Sequence, residues 1–414
     1  MCGLAAAAAM AGRRSARILL RSSWQVVNIG DIAHTPGVLA LLERYLPEAE
    51  VWLWPTSLAN GVEAMLRQRF PRLVIASSPE AVAAAIRYCD FFLHGSGALL
   101  VAAKDLARWR ADTDKPYGVY GITLNEPAIN PEVVSLLNGA QFVFFRDTPS
   151  IQIARRRGVQ NSVMEFGPDG AFATDLRNDT AAREFLAAHR LAPRRFLCCI
   201  PRYRFTPYWS IPASSRPYDA ARDRRNQEMK EHDHAPLRAA ITRLVRELRF
   251  QVLICAEDET QVALGKEMVF DPLPEDVKRA TVWRDRFWLT DEALSVYCYS
   301  AGLFGNEMHS PIMCIGNGVP AIVCRFAEQT TKGFMWRDIG LGEWLFDLDN
   351  ETDVARIVPA VLEMARHPAA ARRKVKAAQA VVQRRQRETM AILQRELEAG
   401  SRSPRPGGAR HPRG

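Results

Sequence analysis

Apolar residues fall in short, almost unbroken runs along this chain, and between the runs apolar positions recur every three or four residues. The first pattern is that of a parallel strand buried on both faces, the second that of a helix with one face turned inward. Runs at 16–20, 51–54, 73–75, 91–93, 117–122 and 142–145 predict strands. Helices are predicted between them at 36–46, where Val38, Leu41, Leu42 and Tyr45 share a face, and at 62–69, 79–88 and 150–157, the last stopped by Gly158. The alternation starts again after Arg195. Strands at 196–200, 251–256, 302–304 and 321–324 are interleaved with helices at 236–249, 292–299 and 312–317. Alternation of this kind builds a parallel sheet with helices on both faces. Occurring twice, it predicts an α/β protein of two doubly wound, Rossmann-like lobes with a cleft between them. The expected divisions are an extension at 1–15, a first lobe at 16–185, a second at 186–368, a basic helix at 369–399 and a tail at 400–414.

Two segments depart from the pattern. Residues 201–233 set Tyr203, Phe205, Tyr208, Trp209 and Tyr218 among prolines and charges, with no period. A long irregular segment in a compact domain is usually functional, and the aromatics argue against plain disorder, so a mobile flap over the cleft is expected. Residues 369–399 carry a narrow apolar stripe of Val375, Ala378, Val382, Leu393 and Leu397, which predicts a mostly solvated helix packed across both lobes. Arg13 and Arg14 follow the alanine-rich start, the reverse of a signal peptide's order, so the first dozen residues are expected to be a disordered extension or an over-long start, and the tail from Gly400, rich in Arg, Pro and Gly, is expected to be disordered.

Composition changes this picture little. Of 414 residues, 48% are apolar and 24% charged, as in ordinary globular proteins. No apolar run is long enough to span a bilayer. The net charge of +9 sits in the arginine-rich end, and the remainder is close to neutral. Nucleic-acid binding is therefore not expected, whereas contact of the basic helix with an anionic membrane surface stays open. The eight cysteines are scattered, without CxxC or zinc spacing. Buried free thiols in a reducing compartment account for them, which places the protein in the cytoplasm, with the inner face of the membrane as the surface open to it.

Candidate chemistry lies where strands end, the place at which open α/β sheets bind ligands. Asn28-Ile29-Gly30-Asp31 follows the first strand. Gly30 allows close approach of a ligand, and Asp31 either accepts a proton or caps the next helix. His34 is one turn further on. His94-Gly95-Ser96-Gly97 is a glycine-rich turn whose amides suit an anion or a hydroxyl, without the third glycine of a dinucleotide site. Arg202 and Arg204 follow the first strand of the second lobe and suit a carboxylate and a phosphate. Gly305-Asn306-Glu307-Met308-His309-Ser310 follows another buried strand, and His309 either starts and packs a helix or handles protons.

In order and spacing these segments resemble the polysaccharide pyruvyl transferase family over roughly residues 18–348, together with Arg146-Asp147-Thr148-Pro149-Ser150, Gly318-Val319-Pro320, Lys332-Gly333-Phe334 and Ile339-Gly340-Leu341. The resemblance implies a two-lobed, glycosyltransferase-B-like fold. It implies transfer of an enolpyruvyl-derived group from phosphoenolpyruvate to a sugar or lipid-linked saccharide of a cell envelope or exopolysaccharide. His309 would then be a general acid or phosphate-binding donor and Asp31 the base for a hydroxyl, with Arg202, Arg204 and Lys332 neutralising the donor. Asn28, Gly30, His34, residues 94–97, Asn306 and Ser310 would complete the binding surface.

His94 and Ser96 depart mildly from the consecutive glycines usual in the family, and one position departs further. Glu307 stands where its members carry arginine, two residues before the histidine. A glutamate beside a dianion opposes binding unless another cation intervenes, and Arg325, Arg337 or Lys332 could supply it. Two rivals follow: a nucleotide-sugar glycosyltransferase in which Glu307 grips hydroxyls, and a non-catalytic carbohydrate-binding relative. No cofactor is expected. Glu307 and His309, two apart, do not share a helical face, so no metal site is expected there.

Overall fold

Every strand among the described residues is paired in parallel, and these strands form two separate sheets. A computed structural model describes residues 15–214 and 216–402. The disorder expected of the chain ends falls outside these, apart from Ser15 and the last helical turn.

The first sheet has eight strands: β1 Arg17–Ser22, β2 Glu50–Pro55, β3 Val74–Ile75, β4 Phe91–His94, β5 Gly97–Ala98, β6 Tyr117–Thr123, β7 Val143–Phe145 and β8 Met164–Phe166. Their order is β3-β2-β1-β4-β6-β7-β8, with β5 beside β6. All side chains of β1, β4 and β6 are buried, because helices cover both faces. Alternate residues serve different cores: Ile18, Leu20, Phe91 and Leu93 face one side, Leu19, Phe92 and Val119 the other. The second sheet has six strands: β9 Phe196–Ile200, β10 Gln251–Ile254, β11 Thr281–Trp283, β12 Gly302–Gly305, β13 Ala321–Arg325 and β14 Leu345–Asp347, ordered β11-β10-β9-β12-β13-β14. In both sheets the order reverses beside the first strand, between β1 and β4 and between β9 and β12. These are the two switch points, where successive connections part to opposite faces and leave a crevice at the carboxyl ends of the strands.

Three elements differ from expectation. The first helix runs Ile29–Tyr45, starting well before Pro36, because the Asn28 side chain caps it by accepting from the amides of Gly30 and Asp31. The helix after Met308 runs His309–Gly316, so His309 opens it. Residues 201–233 are not a free flap. Their second half begins the 29-residue helix Ala220–Leu248, which passes through Pro236 and is capped by Asp219. Its first turns are charged and mostly exposed, and so showed no apolar period. The first half crosses to the other lobe: Ile211 is buried in the first lobe's core, and Tyr208 packs against it.

The 35-residue helix Pro368–Arg402 joins the lobes as its stripe predicts. Ala371, Val375, Ala378 and Val382 pack in the second lobe's core, and Met390, Leu393 and Leu397 in the first. Arg385 ties it to the first sheet through Glu165 and the Phe166 carbonyl. No described helix is long and apolar enough to cross a membrane.

Candidate functional site

The two switch-point crevices face each other, and the chain stitches them together. The Ile29 amide donates to the Glu257 carbonyl at 2.8 Å, and the Thr290 hydroxyl donates to the Ile29 carbonyl at 2.9 Å. Asn28 and Asp258 form an isolated antiparallel bridge. Gly30 lies so close to the second lobe that a Cβ there would come within 2.3 Å of the His309 Cβ. No larger residue fits without moving the lobes. Gly305, at φ 151°, approaches the Ile200 backbone as closely and aims the 305–310 turn toward Gly30.

Asp31, His34 and His309 meet at this seam. Their nearest ligand atoms all lie within 4.8 Å of one another. The His34 ring is fully buried, with Nδ1 2.9 Å from Asp169 Oδ1 and 2.8 Å from Ser96 Oγ. Asp169 is held in turn by Arg146 Nη1 at 2.5 Å. His309 turns Nδ1 to Glu257 Oε1 at 3.2 Å, while the other Glu257 oxygen accepts the Ser310 amide at 2.7 Å. The two imidazoles stand edge to face with centroids 4.9 Å apart.

Charge is crowded here. Burial, aided by Lys332 and His34, pushes the His309 pKa well below the ordinary imidazole value, so its ring is neutral at neutral pH. Burial works against the Asp31 carboxylate, but the Lys332 ammonium and the Gln25 hydrogen bond favour it, and its pKa stays below the usual range. Lys332 opens a short 3₁₀ turn. Burial, then the neighbouring Arg202 and Arg146, bring its ammonium down to about 8, against the pull of Glu307 and Glu257. Among the described residues it makes no ion pair.

Glu307 is buried and fully engaged. It accepts from Arg202 Nη1 at 2.9 Å, Gln261 Nε2 at 2.6 Å and the Met308 amide at 3.2 Å. It neutralises Arg202 rather than reaching into open space. Burial raises its pKa despite that arginine, and the neighbouring Glu257 adds to the rise.

The other expected binding residues sort by what their polar atoms touch. Arg204 does not face the cleft: it chelates Asp233 at 2.8 and 2.9 Å and also meets Asp349 and Glu328. It anchors the helix Ala220–Leu248 to the second lobe, and has no charge to spare for a donor. Arg325 is paired with Asp347 and the Thr330 carbonyl. Both ring nitrogens of His94 are taken by backbone, the Gly95 carbonyl and the Ala102 amide, and burial lowers its pKa to about 3. In the same turn the Gly95 amide donates to the Arg21 carbonyl, Gly97 pairs with Ile122 in β5, and Ser96 serves His34. Asn306 braces the Asp233 carbonyl, and the Ser310 hydroxyl lies 3.2 Å from that of Tyr297. Asp31, His34, His309, Glu307, Arg202 and Lys332 are thus brought together, while Arg204, Arg325 and His94 are structural.

Several participants escaped the sequence reading: Glu257, Asp258, Asp169, Gln261, Gln25 and Tyr208. Glu257 and Asp258 follow β10, so their place at a strand end was the available signal. Gln25 donates to both Asp31 and the Tyr208 hydroxyl, tying the crossing segment to the seam. Next to Tyr208 a surface hollow of about 390 Å³ is lined by Trp209, Tyr218, Arg216 and Arg222. A hollow of about 420 Å³ lies at the opposite, amino-terminal end of β6, beside Lys115 and Glu396, away from this chemistry.

Two parallel sheets, facing switch points and a terminal helix crossing both lobes define a glycosyltransferase-B-like protein. Solved structures share that fold at low identity. The Staphylococcus aureus MnaA–UDP structure is 11% identical, with a TM-score of 0.54, covering 87% of this chain and 91% of that one. Anabaena Alr3699/HepE in complex with UDP and glucose is 10% identical, with a TM-score of 0.55, covering 93% and 99%. UDP-GlcNAc 2-epimerase from Neisseria meningitidis is 9% identical, with a TM-score of 0.56, covering 92% and 100%. No curated protein matches by sequence. The polysaccharide pyruvyl transferase family matches residues 28–326, most of the chain and both halves of the seam. The chain belongs to that family, and by that membership is a transferase.

Proposed function

We propose that the protein transfers a pyruvyl group from phosphoenolpyruvate to two hydroxyls of a sugar in a cell-envelope saccharide or exopolysaccharide. The observation carrying this reading is the convergence at one seam of the 28–34 and 305–310 segments, both inside the region matched to the family, with Lys332 beside them. The chemistry needs a proton at the donor's methylene carbon, a hydroxyl added to the neighbouring carbon, and a second hydroxyl displacing phosphate to close the ketal. Two hydroxyl protons are released; one replaces that given to carbon and one leaves with phosphate.

Asp31, held as a carboxylate, is suited to take the first hydroxyl proton. His309 is neutral and turns Nδ1 to Glu257, which leaves Nε2 as an acceptor rather than a proton source. The acid role implied for it therefore passes to Lys332, an unpaired ammonium titrating near 8. Lys332 offsets the donor's charge, since Arg202 is already paired with Glu307. The aromatic hollow beside Tyr208 suits the acceptor saccharide, since rings with polar tips pack against sugar faces. The exposed Arg372, Arg373, Arg384 and Arg387 suit an acceptor presented on a lipid at the cytoplasmic face of an anionic membrane.

A nucleotide-sugar donor is the second reading, favoured by Glu307 in place of arginine. Calorimetry and turnover with phosphoenolpyruvate and with UDP-sugars, using the full chain, separate the two. Saturable phosphoenolpyruvate binding with phosphate release in the presence of saccharide supports pyruvyl transfer. Binding of UDP-sugar alone overturns it.

A further inference from the structure

We infer that Asp31, His34 and His309 form a binding site for one divalent transition-metal ion at the seam between the lobes. Two buried ring nitrogens carry the inference. His34 Nε2 and His309 Nε2 are both shielded from solvent and have no hydrogen-bond partner among the described residues. Leaving a buried polar atom unpaired is costly, so two of them at one spot call for an occupant.

The nature of the occupant follows from what holds each ring. His34 directs Nδ1 at Asp169, and His309 directs Nδ1 at Glu257. A carboxylate on Nδ1 fixes the tautomer with its proton there and leaves the Nε2 lone pair free. Metal-ligating histidines are supported in this way, and the support makes the ligand more basic. Each carboxylate is anchored in turn, Asp169 by Arg146 and Glu257 by the Ser310 amide. Two facing lone pairs repel an anion and attract a cation.

Asp31 supplies the third ligand. Its Oδ1 lies 3.7 Å from His34 Nε2, too far for a hydrogen bond. Two ligands of one tetrahedral ion, each bonded at about 2.0–2.1 Å, stand about 3.3 Å apart, so small side-chain rotations complete the site. Charge permits it: Asp31, Asp169, Glu257 and Glu307 outnumber Arg146, Arg202 and Lys332 around the seam. Two imidazoles and one carboxylate suit zinc, iron(II) or cobalt(II) rather than calcium or magnesium, and three protein ligands leave a position open. The 28–34 segment brings two ligands and the second lobe one, so the ion would also clamp the lobes. If the pyruvyl-transfer reading holds, the open position gives the donor's anionic oxygens the positive charge that Glu307 removed. The binding itself does not depend on that reading.

The test uses the full chain, stripped with a chelator and titrated with Co²⁺ and with Zn²⁺ in the absence of any donor. One equivalent of each is expected to bind, Co²⁺ with visible ligand-field bands and no thiolate charge-transfer band. Asp31→Asn and His309→Gln are each expected to weaken binding at least tenfold, circular dichroism confirming the fold. If His309→Gln fails to fold, the partly exposed Asp31→Asn decides alone. No binding, a thiolate band from the buried cysteines, or unchanged affinity in Asp31→Asn would overturn the inference and leave a water-filled polar site. Metal binding without phosphoenolpyruvate turnover keeps this site and removes pyruvyl transfer; turnover by a protein that binds no metal does the reverse.

Discussion

Lys332 changes its charge within reach of neutral pH, and it lies beside Arg202, Glu307, Arg146, Glu257, Asp31 and His309. Its folded pKa of about 8 lies below the ordinary lysine value of 10.5, so between these limits the unfolded chain binds more protons than the folded one. Stability contributed by this group therefore rises with pH across that window, while the ammonium that attracts the donor is lost. Phosphoenolpyruvate affinity should fall as pH passes about 8, in calorimetry, while urea midpoints do not fall with it. Lys332→Met should abolish that dependence and weaken donor binding by about 1.5–3 kcal/mol. Glu307→Ala should leave Arg202 buried without its partner and cost about 3–5 kcal/mol in urea unfolding. Asp31, Glu307 and His309 were legible because strand ends and glycines marked their turns. The partners that set their charge states were not: Asp169 and Glu257 sit in loops with no period, and Arg204 looked like a ligand because Asp233, Glu328 and Asp349 are remote from it in sequence.

At the scale of elements, burial made strands the easiest to read. β1, β4, β6, β9 and β12 are buried on both faces, and each carries a short apolar run. The first half of Ala220–Leu248 stayed hidden because a helix exposed on most sides carries no apolar stripe, and Pro236 read as a start. The terminal helix was legible from five apolar positions, all of them buried against one lobe or the other. Leu393→Ala, in the first lobe's core, should therefore destabilise the protein by about 2–5 kcal/mol, measured by chemical denaturation. A change of similar size at exposed Arg384 should leave stability within about 0.5 kcal/mol.

For the whole molecule, the two-lobed plan followed from alternation repeated twice, and the site from where each sheet reverses its order. What the sequence could not convey is how tightly the lobes meet, since a contact between Gly30 and His309 spans most of the chain and depends on backbone approach. Thr148 reinforces it, its amide donating to Asp338 at 2.9 Å. Gly30→Ala should push the lobes apart at a cost of about 1–3 kcal/mol. Small-angle scattering should show a larger radius of gyration, and turnover should fall more than urea stability does. Unchanged scattering and turnover would mean that the seam gives way locally.

The helix Pro368–Arg402 and Ile211 have a consequence for biosynthesis. Met390, Leu393 and Leu397 are made after the whole of both sheets, yet they fill the core of the lobe that is made first. That lobe leaves the exit tunnel with its sheet formed and one apolar face uncovered, and stays so until the helix Pro368–Arg402 has followed it. A nascent chain halted near residue 190 should recruit holding chaperones and remain protease-sensitive, and synthesis through residue 402 should end both. Quality control is thereby built into the topology: a message cut short before the codons for Met390, Leu393 and Leu397 yields an unfinished first half that cells can recognise and degrade.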